Sequence, residues 1–266
     1  MSTRATVIPG AEAWSSPGEG TAAEVGVLVV HGFSGNPVST RPLGEAVAAA
    51  GYAVEVLRLP GHGTHWRDLA RTTYADWRGA VGRALARMLE DHRAVVLVGF
   101  SMGGTLVLDL AAERCRYGRA GGLAGVATIN GLVVSPPNPL KPLSPVLQHL
   151  LPYIPPKAAG ITPDDIAKGG SEQAYPWISH KAVWSYAREL PRVLEGLPEV
   201  TLPVLVAQSR DDHTVHPSNA DAIAAGVATE DVTQLWLERS CHVATLDHDA
   251  EHLFEQVNAF VGRTTG

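Results

Sequence analysis

Gly99-Phe100-Ser101-Met102-Gly103-Gly104 is the stretch that decides which fold the chain adopts. It contains the pattern G-x-S-x-G, and it lies between an apolar run at residues 94–98 and a helical pattern at residues 102–114. That context predicts a tight turn from a strand into a helix, with the Ser101 hydroxyl projecting at the edge of a sheet. Only very small side chains fit two residues before and two residues after the serine, because the turn is crowded there. The alternative is an ordinary glycine-rich loop, which the flanking elements disfavour.

The rest of the chain alternates short apolar runs with helical patterns. Runs without alternation suit strands that are buried on both faces, as in a parallel sheet. Alternating strands and helices therefore predict an α/β fold with a mostly parallel, doubly wound sheet. The predicted strands are residues 25–30, 53–57, 94–98, 125–129, 204–207 and 232–237, and the predicted helices are residues 41–50, 74–90, 102–114, 182–195, 218–226 and 250–261.

One segment interrupts this alternation. Residues 131–180 contain 10 of the 19 prolines, and proline disrupts helix interiors and central strands. We therefore expect residues 131–196 to form an inserted cap, or lid, between core regions at residues 1–130 and 197–266. A short helix is expected near residues 145–151, with an apolar face that packs onto the core, covers an apolar pocket, or does both. That face consists of Val146, Leu147, Leu150 and Leu151.

A serine hydroxyl needs a general base to act as a nucleophile, so the remaining chain should supply a histidine and a carboxylate in the order Ser, Asp, His. Asp211 and Asp212 follow the predicted strand that begins at residue 204, and His242 follows the last predicted strand. The carboxyl ends of strands meet at the edge of an open α/β sheet where ligands bind. We expect His242 to take the proton of Ser101 and a carboxylate to orient the imidazole.

Several further short motifs follow the predicted strands. They are His31-Gly32-Phe33, Pro60-Gly61-His62-Gly63, the Ser101 turn, Asp212-x-x-Val215-x-Pro217 and His242-Val243-x-Thr245-Leu246-Asp247. With these motifs, residues 25–261 resemble the α/β-hydrolase superfamily and, within it, the bacterial monoacylglycerol lipase and carboxylesterase group. Together the motifs are far more specific than any one of them. The resemblance implies the α/β-hydrolase fold with an inserted cap.

The resemblance also implies an activity. The protein would be a serine carboxylic-ester hydrolase, a monoacylglycerol lipase or carboxylesterase that cleaves short- to medium-chain acyl esters through an acyl-enzyme. Its catalytic residues would be Ser101, Asp212 and His242, its substrate a small acyl ester, and it would need no cofactor. The spacing of the family motif assigns the acid role to Asp212, which leaves Asp211 as a solvated loop charge.

The family's oxyanion hole corresponds here to the backbone N–H groups of Phe33 and Met102. His31 would brace that loop by hydrogen bonding, and His62 would support the pocket. Cys241 departs from the family pattern, because the family usually has glycine before the catalytic histidine. It is either a small buried residue that fills a gap, which we favour, or a thiol that makes the enzyme sensitive to thiol reagents.

Composition and charge exclude several classes of protein. Apolar residues make up 45% of the 266, the formal net charge is −6 and no basic stripe appears, which argues against a disordered chain and a nucleic-acid binder. Two cysteines are too few for a disulfide-stapled domain. The histidine pairs His62 with His65 and His248 with His252 lie in no metal-binding motif, so no metal site is expected. Residues 1–23 are expected to be a loosely structured lead-in without signal-peptide features, and no apolar run reaches the ~20 residues of a membrane span, so we expect a cytoplasmic protein.

Some alternatives stay open at this point. The same catalytic groups would serve a thioesterase, a specialised deacylase, a carbohydrate-ester or lactone hydrolase, or a cofactor-free perhydrolase. A non-catalytic binding protein of the same fold is a rival from another class, although such proteins normally lose at least one triad member. The cap is also a candidate surface for peripheral contact with lipid. Acyl chain length, the alcohol and the oligomeric state are not specified by the sequence.

Overall fold

The computed structural model describes residues 6–135 and 141–266. Nine strands lie within these ranges: β1 (Trp14–Ser16), β2 (Val25–Val30), β3 (Ala53–Leu57), β4 (Ala94–Phe100), β5 (Leu123–Ile129), β6 (Tyr153–Ile154), β7 (Ile178–Ser179), β8 (Val204–Ser209) and β9 (Val232–Leu237). Seven of these form one sheet in the order β1-β3-β2-β4-β5-β8-β9, and β6 pairs with β7 apart from it. Within the large sheet the strands run parallel except for β1, which pairs antiparallel with β3 at the edge. The mostly parallel α/β sheet predicted from the sequence is thereby confirmed.

The helices of the described ranges are α1 (Arg41–Ala49), α2 (Trp66–Leu69), α3 (Tyr74–Asp91), α4 (Met102–Arg116), α5 (Ser144–Leu150), α6 (His180–Ala187), α7 (Leu190–Gly196), α8 (Ser218–Gly226) and α9 (Ala250–Thr265), with 3-10 helices at Gly20–Glu24, Pro37–Ser39, Lys141–Leu143, Pro156–Ala159, Leu197–Glu199 and Ala244–Leu246. None of the helices found in this part of the chain is both long enough and apolar enough to cross a membrane.

Helices cover both faces of the large sheet, which explains why its strands are apolar on both sides. Successive residues of a strand point to opposite faces. In β2, Leu28 belongs to one apolar layer with Trp77 of α3 and Leu106 of α4. Its neighbour Val27 belongs to the other layer with Val47 of α1. The unbroken apolar runs in the sequence are thus the signature of a sheet between two helical layers.

The first part of the chain is more regular than the sequence predicts. The edge strand β1 pairs with residues 54–56 of β3, and the 3-10 helix Gly20–Glu24 follows it. The expected loosely structured lead-in at residues 1–23 is therefore wrong from β1 onward, and its residues 1–5 lie outside the described residues. A three-residue strand has too few residues to show a periodicity, and the packing of Trp14 onto the core helps to hold it.

The helical stretch predicted at residues 182–195 is two helices in the structure. α6 ends at Ala187 and α7 begins at Leu190. Pro191 explains the break, because proline disrupts a helix interior but fits the first turn of a new helix, where it lies in α7. The other predicted strands and helices differ from the observed ones only at their ends.

The connection from β5 to β8 contains the proline-rich segment. None of its described elements joins the seven-stranded sheet, in agreement with the expectation from its prolines. α5 corresponds to the short helix predicted near residues 145–151. Its Val146 and Leu150 are 60% and 70% exposed, so this part of the apolar face does not pack onto the core. Residues 136–140 of the predicted cap lie outside the described residues.

Candidate active site

Ser101 lies at the turn between β4 and α4, in a backbone conformation that few side chains adopt. Its φ is 55° and its ψ is −118°, a strained combination that persists only where the surroundings enforce it. The flanking glycines explain how the turn fits. A Cβ at Gly99 would collide with the carbonyl group of Gly103, and a Cβ at Gly103 would collide with the carbonyl group of Val30. The steric requirement inferred from the G-x-S-x-G pattern is therefore met by these two glycines.

His242 connects Ser101 to Asp212. Its Nε2 lies 3.0 Å from Ser101 Oγ, and its Nδ1 lies 2.8 Å from Asp212 Oδ2. The three side chains follow the carboxyl ends of β4, β8 and β9, as the sequence predicts. With Nδ1 donating to the carboxylate, Nε2 is the acceptor that faces the serine hydroxyl. In this geometry an imidazole can accept a serine proton.

The surroundings of His242 favour the doubly protonated, charged form of its ring. Burial opposes the charged form, but the charge and the hydrogen bond of Asp212 outweigh it. Glu172 and Asp165 add to the effect, so the pKa of His242 lies above its ordinary value. An imidazolium that forms by taking a proton from Ser101 is therefore stabilised where it forms.

Asp212 is held in place by the backbone that follows it. Its Oδ1 accepts hydrogen bonds from the N–H groups of Thr214 at 2.8 Å and Val215 at 2.7 Å, which leaves Oδ2 to face His242. The Asp212 side chain has no exposed area, whereas that of Asp211 is 77% exposed. The two competing aspartates therefore differ in their surroundings: the Asp212 side chain is buried against His242, whereas Asp211 is exposed and lies 3.5 Å from His213.

The two N–H groups expected to form an oxyanion hole belong to Phe33 and Met102. Met102 is the first residue of α4, and an N–H group in the first turn of a helix has no carbonyl partner within that helix. Gly32 brings the other loop against the serine, since a Cβ there would lie 3.1 Å from Ser101 Cβ. Gly32, Phe33 and Ser101 line the same cavity. A helix N-terminal N–H group directly after the nucleophile suits a developing oxyanion.

His31 braces this loop by hydrogen bonding. Its buried Nε2 accepts from the N–H of Leu59 at 3.1 Å, so its Nδ1 is the donor to the Gly32 carbonyl at 2.8 Å. Burial holds the pKa of His31 well below its ordinary value and lowers the pKa of the neighbouring His62 to about 4. The His62 ring packs edge-on against Phe33. Both histidines are therefore neutral at physiological pH and suit supporting roles.

A cavity extends from Ser101 into the β5–β8 connection. One wall is the edge of the sheet, with Ser101 and His242. Most of the remaining lining comes from the connection, and aliphatic side chains form a large part of it. These side chains are Leu132, Ile154, Ile161, Val183 and Leu190.

Glu172 is a carboxyl group in this cavity that the sequence reasoning missed. It is 8% exposed, and a Cβ at Gly35 would lie 3.0 Å from its Oε2. Burial raises the pKa of Glu172 to about 7, an effect that His242 opposes and that Asp164 and Asp165 reinforce. Glutamate is almost never buried without a partner. No short motif surrounds this residue, so the sequence carried no local signal for it.

Asp165 and Asn130 are two further residues without a sequence signal. Asp165 Oδ2 accepts from the backbone N–H groups of His213 at 3.1 Å and His242 at 3.2 Å, so it joins the two loops that carry Asp212 and His242. Asn130 Nδ2 donates to the carbonyl of His242 at 2.6 Å. These contacts link residues far apart in the chain, which is why no spacing rule could have found them.

Cys241 is a buried thiol beside His242. Its exposed fraction is 7%. Burial, together with the charges of Asp165, Asp211 and Asp247, raises the pKa of Cys241 to about 11, so little thiolate forms at neutral pH. These surroundings favour the interpretation that Cys241 fills a gap over the interpretation that it is a reactive thiol.

Within the described residues, neither of the two histidine pairs noted in the sequence belongs to a cluster of side chains close enough together to bind a metal ion. His248 and His252 are both exposed. Within residues 6–135 and 141–266, the group that has such spacing consists of Asp165, His213 and Cys241. Its members come from three separate parts of the chain, so motif spacing could not reveal it.

Comparison with known protein families decides where the chain belongs. The family model described as "Serine aminopeptidase, S33" matches residues 21–249. The chain belongs to this hydrolase family. The sheet topology and the relatives make it an α/β-hydrolase, which confirms the resemblance inferred from the sequence motifs.

Three similar proteins show which members of the superfamily this chain resembles. A thermostable monoacylglycerol lipase from Bacillus sp. (strain H-257) is 34% identical over 279 aligned residues, which cover all of both chains. A carboxylesterase from Bacillus subtilis (strain 168) is 27% identical over 240 residues, 88% of this chain and 91% of the relative. A solved structure from work on two metagenome-derived lipolytic enzymes, LipS and LipT, is 35% identical with a TM-score of 0.86, and the match covers 97% of this chain and 100% of the other.

Proposed function

We propose that this α/β-hydrolase is a serine carboxylic-ester hydrolase that acts on monoacylglycerols or similar acyl esters. The observation that carries the proposal is the hydrogen-bonded series Ser101, His242 and Asp212 in the wall of a cavity with much aliphatic lining. The description of the family names an aminopeptidase. Two curated relatives that align over most of the chain are named for ester substrates, which supports ester chemistry over amide chemistry.

The first half of the reaction transfers the acyl group to the enzyme. Ser101 Oγ attacks the ester carbonyl carbon while His242 Nε2 accepts the hydroxyl proton. The backbone N–H groups of Phe33 and Met102 donate to the oxyanion of the tetrahedral intermediate. The His242 imidazolium, which Asp212 stabilises, then gives its proton to the leaving alcohol oxygen. The alcohol departs and the acyl group stays on Ser101 as an ester.

The second half releases the acid. A water molecule takes the place of the alcohol, and His242 removes one of its protons as the oxygen attacks the acyl carbonyl. The same N–H groups hold the second oxyanion. When this intermediate collapses, the carboxylic acid is released and the proton on His242 returns to Ser101 Oγ. The enzyme is then in its starting state.

We assign residues 131–196 to a cap over a core formed by residues 1–130 and 197–266. Two observations support this division. The described elements of the segment stay outside the large sheet, and the segment supplies most of the cavity lining beyond the sheet edge. Aliphatic side chains there suit an acyl chain, because each buried CH₂ group contributes about 0.8 kcal/mol.

Glu172 supports a substrate whose alcohol carries free hydroxyl groups. Its carboxyl group lies in the same cavity as Ser101 and interacts electrostatically with His242. A buried carboxylate needs hydrogen-bond donors, and the free hydroxyls of a glycerol moiety supply them, whereas a simple alkyl alcohol does not. This argument favours monoacylglycerols over esters of simple alcohols.

The exposed part of the cap favours a lipid surface as the partner of this protein. Apolar side chains that are exposed in a group mark interaction surfaces, and monoacylglycerols reside at lipid–water boundaries. The cytoplasmic location expected from the sequence stays a prediction. Among the described residues of the proposed cap, the exposed large apolar side chains are Val134, Leu143, Val146, Leu150, Leu151 and Trp177, with exposed fractions between 42% and 70%.

A substrate panel tests the proposed function. Wild-type protein and the Ser101→Ala variant are assayed with monoacylglycerols, p-nitrophenyl esters, acyl-CoA thioesters and aminoacyl p-nitroanilides. We expect the highest kcat/KM on monoacylglycerols and loss of all hydrolysis in the variant, with its thermal unfolding transition retained. A higher kcat/KM on thioesters or anilides would reject the ester assignment. Equal turnover by the variant would reject Ser101 as the nucleophile.

A further inference from the structure

A cluster of three side chains lies beside the active-site loops, and none of the three contacts the reacting atoms of the proposed reaction. Asp165, His213 and Cys241 each offer one ligand atom, and these atoms lie within 4.8 Å of one another. Asp165 and Cys241 are buried, whereas the His213 side chain is 53% exposed. The cluster is therefore enclosed on one side and open to solvent on the other.

Contacts within the cluster already bring the donor atoms together. Asp165 Oδ1 lies 2.9 Å from His213 Nδ1, and the Cys241 thiol is hydrogen-bonded to the Asp165 carboxyl group. The cluster also adjoins the reacting groups, because His213 follows Asp212 in the chain and Cys241 precedes His242. Two members of the cluster are thus one peptide unit away from members of the catalytic series.

The donor set suits a thiophilic divalent cation. One sulfur, one imidazole nitrogen and one carboxylate oxygen form a set that Zn²⁺ accepts, and water from the exposed side can take the remaining position. Metal–ligand bonds of about 2.0–2.3 Å place tetrahedral ligand atoms roughly 3.5 Å apart. Only a small contraction of the cluster is required, and the exposed His213 side chain has room to make it.

The charges around the cluster also favour a cation. Two further negatively charged carboxylates adjoin it, since Asp211 Oδ1 lies 3.5 Å from His213 Nε2 and Asp247 Oδ2 accepts from the backbone N–H of Cys241 at 2.9 Å. Their negative charge attracts a divalent cation. When the cation binds the sulfur, it displaces the thiol proton, which leaves to solvent. A thiol that is unreactive in the metal-free protein is thereby converted into a ligand.

We propose that Asp165, His213 and Cys241 form a binding site for a thiophilic divalent cation such as Zn²⁺, and that occupation of this site lowers ester hydrolysis. Asp165 Oδ2 now accepts from the backbone N–H groups of His213 and His242. A metal ion bound through Asp165 Oδ1 draws this carboxylate toward His213 and Cys241, which lengthens the backbone bonds of Oδ2 and shifts the loop that holds the His242 ring against Ser101. The binding half of the proposal rests on the cluster alone, and the inhibition half rests on the proposed function.

Cobalt binding tests the first half without any hydrolysis. Co²⁺ is titrated into wild-type protein and into the Ser101→Ala variant, and the near-ultraviolet charge-transfer band of a cobalt–thiolate bond is recorded. We expect the band in both proteins and its removal by Zn²⁺. Cys115→Ser keeps the band, because that thiol lies elsewhere, in α4. Absence of the band in both proteins, or its persistence in Cys241→Ser and Cys241→Gly, would overturn the site.

Zinc inhibition tests the second half. Hydrolysis of p-nitrophenyl butyrate is measured against Zn²⁺ concentration for wild type, Cys241→Ser, His213→Ala and His216→Ala, the last a control at a nearby exposed histidine. We expect the first two variants to require more than about tenfold more Zn²⁺ than wild type or the control, as the loss of a metal partner implies. Equal sensitivity of all four proteins would overturn this half, because the inhibiting metal would then bind elsewhere. A cobalt band in a wild-type protein that hydrolyses no ester would leave the site standing and reject the proposed function.

Discussion

Two regions of the molecule meet at the cavity, and they are built differently. The edge of the sheet holds Ser101, Asp212 and His242 on short loops that are fixed by close backbone packing and by buried hydrogen bonds. The β5–β8 connection contributes short elements, many prolines and apolar side chains that are partly exposed. A rigid sheet edge holds the catalytic side chains in the precise geometry that proton transfer needs. The short elements of the connection line the cavity and can determine which ligand binds. We propose that residues at the sheet edge cleave the ester bond and that residues of the connection select which ester binds.

The largest effect should come from the edge, at Asp212. We expect Asp212→Asn to lower kcat by about 10⁴-fold on every ester, the loss that the same change causes in a serine protease, because the amide favours the wrong imidazole tautomer. The matched control is Asp211→Asn, since Asp211 is a neighbour in sequence but 77% exposed. Steady-state kinetics on p-nitrophenyl butyrate and a monoacylglycerol measure both variants. Equal losses in the two variants would remove the distinction between the aspartates.

A substitution at Glu172, in the connection, should lower activity less than Asp212→Asn does, and it should affect one class of ester more than another. We expect Glu172→Gln to lower kcat/KM for a monoacylglycerol by about fivefold, because the amide oxygen still accepts a hydroxyl hydrogen bond but lacks the charge that strengthens it by about 1 kcal/mol. Hydrolysis of p-nitrophenyl butyrate should change much less, because its alcohol offers no hydroxyl donor. The ratio of the two kcat/KM values is the measurement. An equal loss of kcat/KM on both substrates would mean that Glu172 acts in ester cleavage, as the residues of the sheet edge do. The distinction between the edge and the connection would then fail.

The same residue makes stability depend on pH. The pKa of Glu172 is raised from 4.5 to about 7 in the folded protein. Between these values the folded state keeps a proton that the unfolded chain has lost, so this group makes stability fall as pH rises through the window. Melting temperatures at about pH 5 and about pH 7.5 should therefore diverge more in wild type than in Glu172→Gln. Identical pH slopes for the two proteins would contradict the buried, proton-binding carboxyl group.

A further effect of the connection should appear only at a lipid surface. Val146 and Leu150 are 60% and 70% exposed on α5, and we expect Val146→Ser with Leu150→Ser to weaken binding to phospholipid vesicles several-fold. Vesicle sedimentation measures the bound fraction. Turnover of dissolved p-nitrophenyl butyrate should stay at the wild-type level, since neither side chain is among those that line the cavity. Unchanged vesicle binding in the double variant would remove α5 as the contact surface.

The smallest effect is expected at Cys241. Its thiol is buried and its pKa is raised to about 11, so N-ethylmaleimide should leave the activity of metal-free protein nearly unchanged at neutral pH. The Cys241→Ser variant serves as the comparison. Rapid inactivation of wild type but not of this variant would establish the reactive thiol that we disfavour.

The edge could be predicted from the sequence because each of its residues follows a recognisable strand. Ser101 has two steric glycines, and Asp212 and His242 come directly after apolar runs, so local patterns carried the information. Glu172 and Asp165 lie in a proline-rich segment, and their contacts join residues far apart in the chain. No periodicity encodes such contacts, since they arise only when the connection folds back over the sheet.

Two errors in the predicted fold have different causes. β1 consists of three residues and is held by pairing with β3, so tertiary contact supplied what the local sequence lacked. The break between α6 and α7 has a local signal in Pro191, whereas the apolar spacing of residues 182–195 by itself predicts one helix. The apolar runs of the parallel sheet, by contrast, needed no tertiary information, because burial on both faces leaves a continuous pattern.

The most direct measurement of the central claim is covalent labelling of the nucleophile. Wild-type protein, Ser101→Ala and Asp212→Asn are treated with a fluorophosphonate, and the modified peptide is identified by mass spectrometry. We predict a single adduct on Ser101 in wild type, no adduct in Ser101→Ala and much slower labelling in Asp212→Asn, because the hydroxyl is activated only through His242. A wild-type protein that stays unlabelled, or an adduct on a residue other than Ser101, would contradict the account.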